Sequence, residues 1–488
     1  MMTDLTTRSR WLALYVLCLG DLMIVLDSSI VNVALPSIQS DLGFSQSALA
    51  WVVNAYLLTF GGFLLLSGRL GDLLGSKRVF QGGVVSFTVA SVACGLAPTS
   101  ELLVLGRAVQ GLGGAAVSAV ALSLIMGLFS EAGERAKAMG FFGFVMSGGG
   151  AVGVLLGGVL TGLFSWHWIF LVNVPVGIAV WFAARRVLPD DEVVPQEGRL
   201  DISGAALVTV ALMVSVYAIV GGNEAGWTSA RTLLLLGLGV LLLAGFVARE
   251  ATASNPLVPL RLFGLRNVSV SQVVGVLWAG AMFAWFFLAA LYLQQVLGYE
   301  ALEVGLAFIP TSVVMAFCSL RVSDRLVMRF GIRPPLVVGL TLAATSLALF
   351  SQAPVGGRFV TDVLPSMVLL GAGAGIAFNP VLLAAMGDVE PHESGLASGV
   401  VNTSFMMGGA LGLAVLVSIS SARTESLLTG GASEVAALNG GYQVAFGVGA
   451  GCALLAAVVG GVFLRPKPMM GGDPHDPTPA DEVVPACP

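Results

Sequence analysis

The chain has 488 residues, of which 56% are hydrophobic and 10% charged, and its formal net charge is −5. Soluble globular proteins carry about 25% charged residues, so the composition excludes a soluble fold and predicts a chain that crosses a membrane many times. The small negative charge offers nothing to nucleic acid. The five cysteines and three histidines show no metal-ligand spacing and no Ser/His/Asp arrangement, so neither a cofactor nor enzyme chemistry is expected.

About 20 apolar residues cross a bilayer as a helix. Apolar stretches recur at 11–33, 48–67, 79–97, 102–126, 139–163, 168–188, 203–222, 231–248, 268–294, 304–322, 334–352, 364–386, 395–419 and 442–464, which predicts fourteen spans. None alternates with the period of two that a β-barrel strand requires, so the class is all-α and polytopic. With the amino terminus inside, every one of the 23 Lys and Arg residues except Arg107, Arg231, Arg358 and Arg423 falls on the inner side. That bias predicts a multi-pass protein of the cytoplasmic membrane with both termini in the cytoplasm.

The first span holds two carboxylates, Asp21 and Asp27. An ionised carboxylate in the centre of a bilayer costs at least about 2.5 kcal/mol, so each is a functional hypothesis, most simply a proton or cation site. Between spans two and three runs Gly68-Arg69-Leu70-Gly71-Asp72-Leu73-Leu74-Gly75-Ser76-Lys77-Arg78. Its glycines permit a tight turn and close helix approach, Asp72 suits the free amides of a helix start, and Arg69, Lys77 and Arg78 stay in water. Span four carries Arg107, with Gln110 and Gly111 on the same helical face. Span five carries Gly149, Gly153, Gly157 and Gly158, a ridge of small residues suited to helix packing.

Spans seven and eight are bracketed by two of the longer inner segments, 185–201 and 249–267. Removing that pair leaves six spans before and six after, the arrangement expected of a transporter built from two bundles with its site between them. The predicted organisation is a six-helix bundle over 1–190, two inserted transmembrane helices over 191–266, a second six-helix bundle over 267–465, and a disordered, proline-rich acidic tail over 466–488.

The 68–78 segment resembles the signature of the major facilitator superfamily, and Leu26-Asp27-Ser28-Ser29-Ile30-Val31-Asn32-Val33-Ala34-Leu35-Pro36 resembles the first-span signature of its fourteen-span drug:proton antiporter family. Leu105-Gly106-Arg107-Ala108-Val109-Gln110-Gly111 is similar to the fourth-span motif, Trp166 to Pro175 to the start of span six, and Gly395-Leu396-Ala397-Ser398-Gly399 with Asn402 to the start of span thirteen. The glycine ridge resembles the antiporter motif only in part, because Val154 stands where proline is usual, and His167 replaces the usual arginine between Trp166 and Trp168. In the carboxyl half, the echo of the 68–78 segment at Leu326 to Arg333 has Met328 in the place of Asp72.

This resemblance implies a major facilitator fold, two six-helix bundles plus two inserted helices, that works by alternating access on the proton gradient. It implies an intramembrane ion pair of Asp27 and Arg107 in proton coupling, and a conformational latch of Gly68, Asp72, Gly75, Lys77 and Arg78. Span one runs outward and span four inward, which sets Asp27 and Arg107 at similar depth, roughly 8–9 Å below the surface at about 1.5 Å per residue. Asp21 lies about 120° around the helix from Asp27 and is left to join the proton coupling or to attract a cationic substrate.

A drug-sized amphiphile suits a mixed apolar pocket with a few polar groups and flexible thioethers. The candidates for that lining are Asn54 in span two, Gln110 in span four, Trp278, Trp285, Tyr292 and Gln294 in span nine, Asn379 in span twelve, and Asn402, Phe405 and Met406 in span thirteen. The sequence thus reads as a monomeric proton-coupled antiporter exporting hydrophobic or amphiphilic drugs or antibiotics, its partners a small molecule, protons and the lipid bilayer. The alternatives are a dedicated exporter of one endogenous metabolite, such as a self-made antibiotic, a peptide or a siderophore, and a polytopic membrane enzyme. The last would need a catalytic cluster that three scattered histidines do not supply.

Overall fold

A computed structural model describes residues 7–129, 131–189, 201–253, 256, 260–386 and 394–465. Among them every regular element is helical. The first half runs α1 (Thr7–Leu42), α2 (Trp51–Leu74), α3 (Ser76–Gly95), α4 (Ser100–Leu128), α5 (Ala132–Leu163), the short α6 (Trp168–Leu171) and α7 (Asn173–Val187). Two helices follow, α8 (Ile202–Ala225) and α9 (Ala230–Thr252). The second half contains α10 (Arg266–Leu291), α11 (Ala301–Phe317), the short α12 (Asp324–Phe330), α13 (Arg333–Phe350), α14 (Leu364–Met386), α15 (Ser394–Thr429) and α16 (Glu434–Phe463).

Twelve helical stretches among the described residues are long and apolar enough to cross a membrane, against the fourteen spans expected. The two that fall short stand in the third and fifth places. α3 carries Lys77, Arg78 and Gln81 in its first turns and Ser86, Thr88 and Ser91 further along, and in α5 only Val152–Leu163 counts as a short apolar helix.

Several helices overshoot their apolar runs. α1 continues through Pro36 to Leu42, nine residues past the expected end at 33. The expected break at 420–442 shrinks to a turn between Thr429 and Glu434. Polar residues such as Ser420, Arg423, Thr424 and Glu425 are compatible with helix once it leaves hydrocarbon, so hydropathy marks the bilayer boundary and not the helix end. In the same way, the 68–78 segment is helix on both sides of one residue, Gly75, whose φ of +99° is the left-handed conformation that glycine adopts at no steric cost. Gly331 makes the equivalent turn between α12 and α13 with φ +78°, so the weak sequence echo in the second half is a clear echo in the backbone.

In the first half, α4 packs against α2 and α3, and α1 against α5 and α7; in the second, α10 packs against α15 and α16, and α13 against α14 and α16. The halves meet along two seams, α5 with α11 and α2 with α15. The pair α8 and α9 lies outside this body: α8 rests on α2 and α15, and α9 packs on α8 and is mostly exposed. At the foot of the pair, Asp201 caps α8 through Gly204 N (2.8 Å) and meets Arg249 of α9 at 3.4 Å. Burial pushes the Asp201 carboxyl up, but the hydrogen bonds from Ser203 and Gly204 together with the Arg249 charge outweigh it, and the group is held below its ordinary range. The start of α1 and the end of α4 lie together through Trp11 and Phe129, as do the start of α10 and the end of α16 through Arg266 and the Phe463 carbonyl. We call this the terminal face and its opposite the far face. Three π-helical turns, Tyr292–Val296, Cys318–Ser323 and Phe359–Val363, adjoin α10, α11 and α14.

The glycine ridge of α5 serves both of its neighbours. A Cβ on Gly153 would lie 2.0 Å from Ser29 Oγ and one on Gly157 2.6 Å from the Ile30 carbonyl, both on α1; Gly149 is in similar contact with Val25. On the other side, a Cβ on Gly158 would lie 2.7 Å from the Ala301 carbonyl of α11, so this residue lets the halves touch. Replacing Gly157 by Val should force α1 and α5 apart and destabilise the protein by about 1–3 kcal/mol, as overpacking does. A lower melting temperature of the detergent-purified variant, with Gly150→Ala unchanged because nothing lies within 4 Å of that Cβ, checks this.

Candidate functional site

Asp27 and Arg107 form an ion pair between α1 and α4, each with at most 1% of its side chain exposed. Their depths match even though α1 runs on past its apolar stretch, because the overshoot projects beyond the pair without moving it. A buried carboxylate and guanidinium each lose hydration worth several kcal/mol, which their attraction repays only if the remaining lone pairs and N–H groups are also satisfied. The surrounding helices supply those partners. Arg107 Nη1 donates to Asp27 Oδ2 and to Gln110 Oε1 (2.8 Å), and Arg107 Nε donates to the Val52 carbonyl of α2 (2.9 Å). Asp27 Oδ1 accepts from Gln110 Nε2 (3.1 Å) and from Asn173 Nδ2 at the start of α7 (2.9 Å). Gln110 Nε2 also donates to Ser91 Oγ of α3 (2.8 Å).

The guanidinium lies 4.5 Å from the centre of the Tyr56 ring and 5.6 Å from that of Phe170, within the range of a cation–π attraction. Helix approach makes room for this. A Cβ on Gly111 would lie 2.1 Å from Thr59 Oγ1 of α2, and Thr59 itself donates to the Ala108 carbonyl (2.8 Å).

The sequence picks out Asp27, Arg107 and Gln110 and misses Asn173, Ser91 and Tyr56. Gln110 was expected in the substrate lining; it is fully buried in the ion-pair network instead, since an amide can satisfy an acid and an arginine at once. Asn173 lies in the Trp166 to Pro175 motif, and an amide at the buried start of an apolar helix was the signal that could have marked it. Asp21 is also fully buried, apart from Asp27, and accepts a hydrogen bond from Ser118 of α4, while its second oxygen has no partner.

The other expected residues divide. Trp285 and Tyr292 turn into the packing of the second half. The Trp285 ring lies 5.3 Å from Phe308 and 5.8 Å from Phe350, and Tyr292 Oη donates to the Pro354 carbonyl (2.9 Å). Their spacing of seven residues puts both on one helical face, and that face is the internal one. Trp278 is buried with its indole N–H unpartnered, and Asn54 is buried with both amide atoms unpartnered. Asn379 donates to the Ser319 carbonyl (3.2 Å). Met406 packs against Gly61 at the α2 and α15 seam. Phe405 joins Phe283 (6.0 Å) and Phe378 (5.9 Å) in an aromatic group from three helices, near the exposed Asn402 in sequence.

Gln294, expected in the cavity lining, joins the two halves. Its amide donates to the Val33 carbonyl across the halves (3.0 Å), and beside it Gln295 Nε2 donates to Gln39 Oε1 (2.9 Å). Tyr442 Oη donates to Gln295 Oε1 (2.6 Å) and accepts from Gln46 Nε2 (2.9 Å). These bonds tie the halves together at the far face. In the expected latch, Lys77 Nζ donates to the Leu188 carbonyl (2.7 Å) and Arg69 to the Pro256 carbonyl (3.2 Å), which ties the segment to two connectors. Gly71 fits closely against Val120, and Gly68 only loosely against Ala119. Arg78 is exposed, and the Asp72 side chain lies outside the described residues, as does the 466–488 tail.

Two helical halves that meet along two seams, with a hydrogen-bonded ion pair buried inside one of them and an amide lock across one face, define a membrane transporter. The pattern of the Major Facilitator Superfamily matches residues 17–413, and the chain belongs to that superfamily. It is 38% identical over 485 residues to the puromycin resistance protein pur8 of Streptomyces alboniger, covering 98% of this chain and 95% of that one. It is 39% identical to the cephamycin export protein CmcT of Amycolatopsis lactamdurans (86% and 87% covered) and 36% identical to the multidrug resistance protein Stp of Mycobacterium tuberculosis (86% and 78% covered). Its fold matches the POT family transporter PepTSo with a TM-score of 0.69 at 16% identity, over 94% of this chain and 98% of that one.

Replacing Asn173 by Leu removes a donor from a buried carboxylate, a hydrogen bond worth about 1.5–3 kcal/mol because one partner is charged. The purified variant should melt below the wild type, and Asn173→Asp lower still, because it sets a second carboxylate against Asp27.

Proposed function

We propose that this protein exports a hydrophobic or amphiphilic drug-like compound across the cytoplasmic membrane in exchange for protons, by alternating access, with both termini in the cytoplasm. The observation that carries this reading is the Asp27–Arg107 pair, a titratable carboxylate held inside the membrane by donors from two helices, α4 and α7. Protonating Asp27 removes the charge that holds Arg107, Gln110 and Asn173 together, so proton occupancy favours a different packing of α1, α4 and α7. A ligand or proton shifts a conformational equilibrium only by its differential affinity for the two states, and a group whose partners change between states has that differential.

With the terminal face inside, the Gln39, Gln295, Tyr442 and Gln46 bonds close the outward side, and opening must break them. The aromatic group of Phe283, Phe378 and Phe405 is the surface best suited to an apolar compound. Relatives named for resistance to, or export of, puromycin, cephamycin and lincomycin support antibiotic-type cargo. The same single-compound names favour, as a second reading, a dedicated exporter of one self-made antibiotic.

Asp27→Asn keeps the shape and cannot titrate. In inverted vesicles it should abolish drug-driven proton release at wild-type expression; normal exchange would remove Asp27 from the mechanism. Asp21→Asn retains an acceptor for Ser118 and removes only the charge. Exchanging a monovalent cation for one proton is electrically silent, whereas exporting a neutral compound gains about 2.3 kcal/mol per 100 mV for each proton entering. Asp21 is therefore the group that can recognise cationic cargo, and growth-inhibition panels should show Asp21→Asn losing resistance to lipophilic cations while retaining neutral substrates. Equal loss for both would place Asp21 in the coupling itself.

A further inference from the structure

A cavity of about 360 Å³ opens at the far face between the start of α2, the end of α8 and the start of α9. That volume is within the range of small-molecule sites, roughly 300–1,000 Å³. Its lining includes none of Asp27, Arg107, Gln110, Phe283, Phe378 and Phe405, and it belongs mainly to the pair of helices that the proposed transport cycle does not use. Its polar wall holds Arg231, Tyr217, Ser45 and Ser47, and no acidic side chain is among its lining in the described residues. Arg231 Nη2 donates to Tyr217 Oη (2.7 Å) and its guanidinium sits 5.8 Å from the Tyr217 ring centre, which fixes the fork in place; Trp51 flanks the same ring at 6.5 Å. The opposite wall is apolar, with Leu235 and Val220. Leading away from it, α9 exposes Leu234 (73%), Leu238 (42%) and Leu241 (68%), a track of apolar surface suited to an acyl chain.

A fixed guanidinium and hydroxyls at one end and an exposed leucine track at the other suit an anionic head with a hydrocarbon tail. Arginine pairs with phosphate by parallel charge-assisted hydrogen bonds, and Trp and Tyr belong at headgroup level. We propose that this cavity is a binding site for the phosphate headgroup of an anionic phospholipid of the far-face leaflet, its tail lying along α9. The site adjoins a seam between the halves, since Ser418 of α15 donates to the Ile219 carbonyl on α8 (3.1 Å), so a bound lipid braces the inserted pair where α2 and α15 meet.

The full-length protein, purified in detergent, is titrated with phosphatidylglycerol, phosphatidylcholine or inorganic phosphate while its melting temperature is followed. Phosphatidylglycerol should raise it saturably, at lower concentration than phosphatidylcholine, and inorganic phosphate should not raise it. One basic residue near a membrane surface contributes about 1 kcal/mol to binding an anionic lipid, so Arg231→Gln should weaken the apparent affinity about fivefold. Leu235→Trp, which fills the cavity and leaves the charge, should weaken it as well. Unchanged affinity in both variants overturns the proposal, as does equal stabilisation by inorganic phosphate, which marks a free-anion site. Displacement of the lipid by an exported drug also overturns it, by making the cavity a substrate vestibule. None of these results depends on whether Asp27 couples protons.

Discussion

The contact on which the first half depends is the hydrogen-bonded charge pair of Asp27 and Arg107. Two ions out of water need hydrogen-bond partners for their stability, and residues of four helices build the network around them, the α3 hydroxyl reaching it through Gln110. Val52 offers a carbonyl from α2, Ser91 a hydroxyl from α3, Gln110 an amide from α4 and Asn173 another from α7. The helices are therefore positioned by polar chemistry at their centre as much as by apolar packing around it. In a bilayer this matters more than in water, because lipid tails are as apolar as leucine and give helices no hydrophobic reason to associate.

Close approach is the second requirement, and it is met by glycine. Gly111 brings α4 against α2, and Gly153 and Gly157 bring α5 against α1, at distances no side chain would allow. Short separations are what allow Gln110 and Arg107 to reach across to neighbouring helices. The same device recurs between the halves, where Gly158 of α5 meets the backbone of α11 and Gly61 of α2 meets Met406 of α15. The seams between the halves thus include points where glycine lets one helix come into close contact with the other.

Much of this was legible in the sequence, for a physical reason: a charge in an apolar span is too costly to be accidental, so Asp27 and Arg107 stand out against any background. Glycines at helical spacing stand out in the same way, and Gly75 marks a turn. What hydropathy could not give is direction. Trp285, Tyr292 and Gln110 are amphipathic side chains whose composition is equally consistent with a cavity and with a bundle interior, and only the rotation of each helix decides between them. Gln294 and Gln295 were still harder, because their partners Val33 and Gln39 lie more than 250 residues away in sequence. Helix ends were misplaced because the polar residues that end a hydrophobic run, such as Ser37 and Gln39 after Pro36, are good enough helix formers to continue the coil into water.

The three π turns all fall in the second half, which holds no buried ion pair among its described residues. A π turn is one residue too many for its helix, and the helix can pass that surplus along by shifting its register with small backbone adjustments. No π turn lies among the described residues of the first half, where any twist would pull on the hydrogen bonds that join Asp27 and Arg107 to α2 and α7. The molecule is therefore mechanically lopsided, with a first half pinned by its buried ion pair and a second half whose helices carry register-shifting turns. Phe283 of α10 and Phe378 of α14 stand on two of the helices that carry such turns, so a shift of register there would turn their rings and leave the ionic centre of the first half in place.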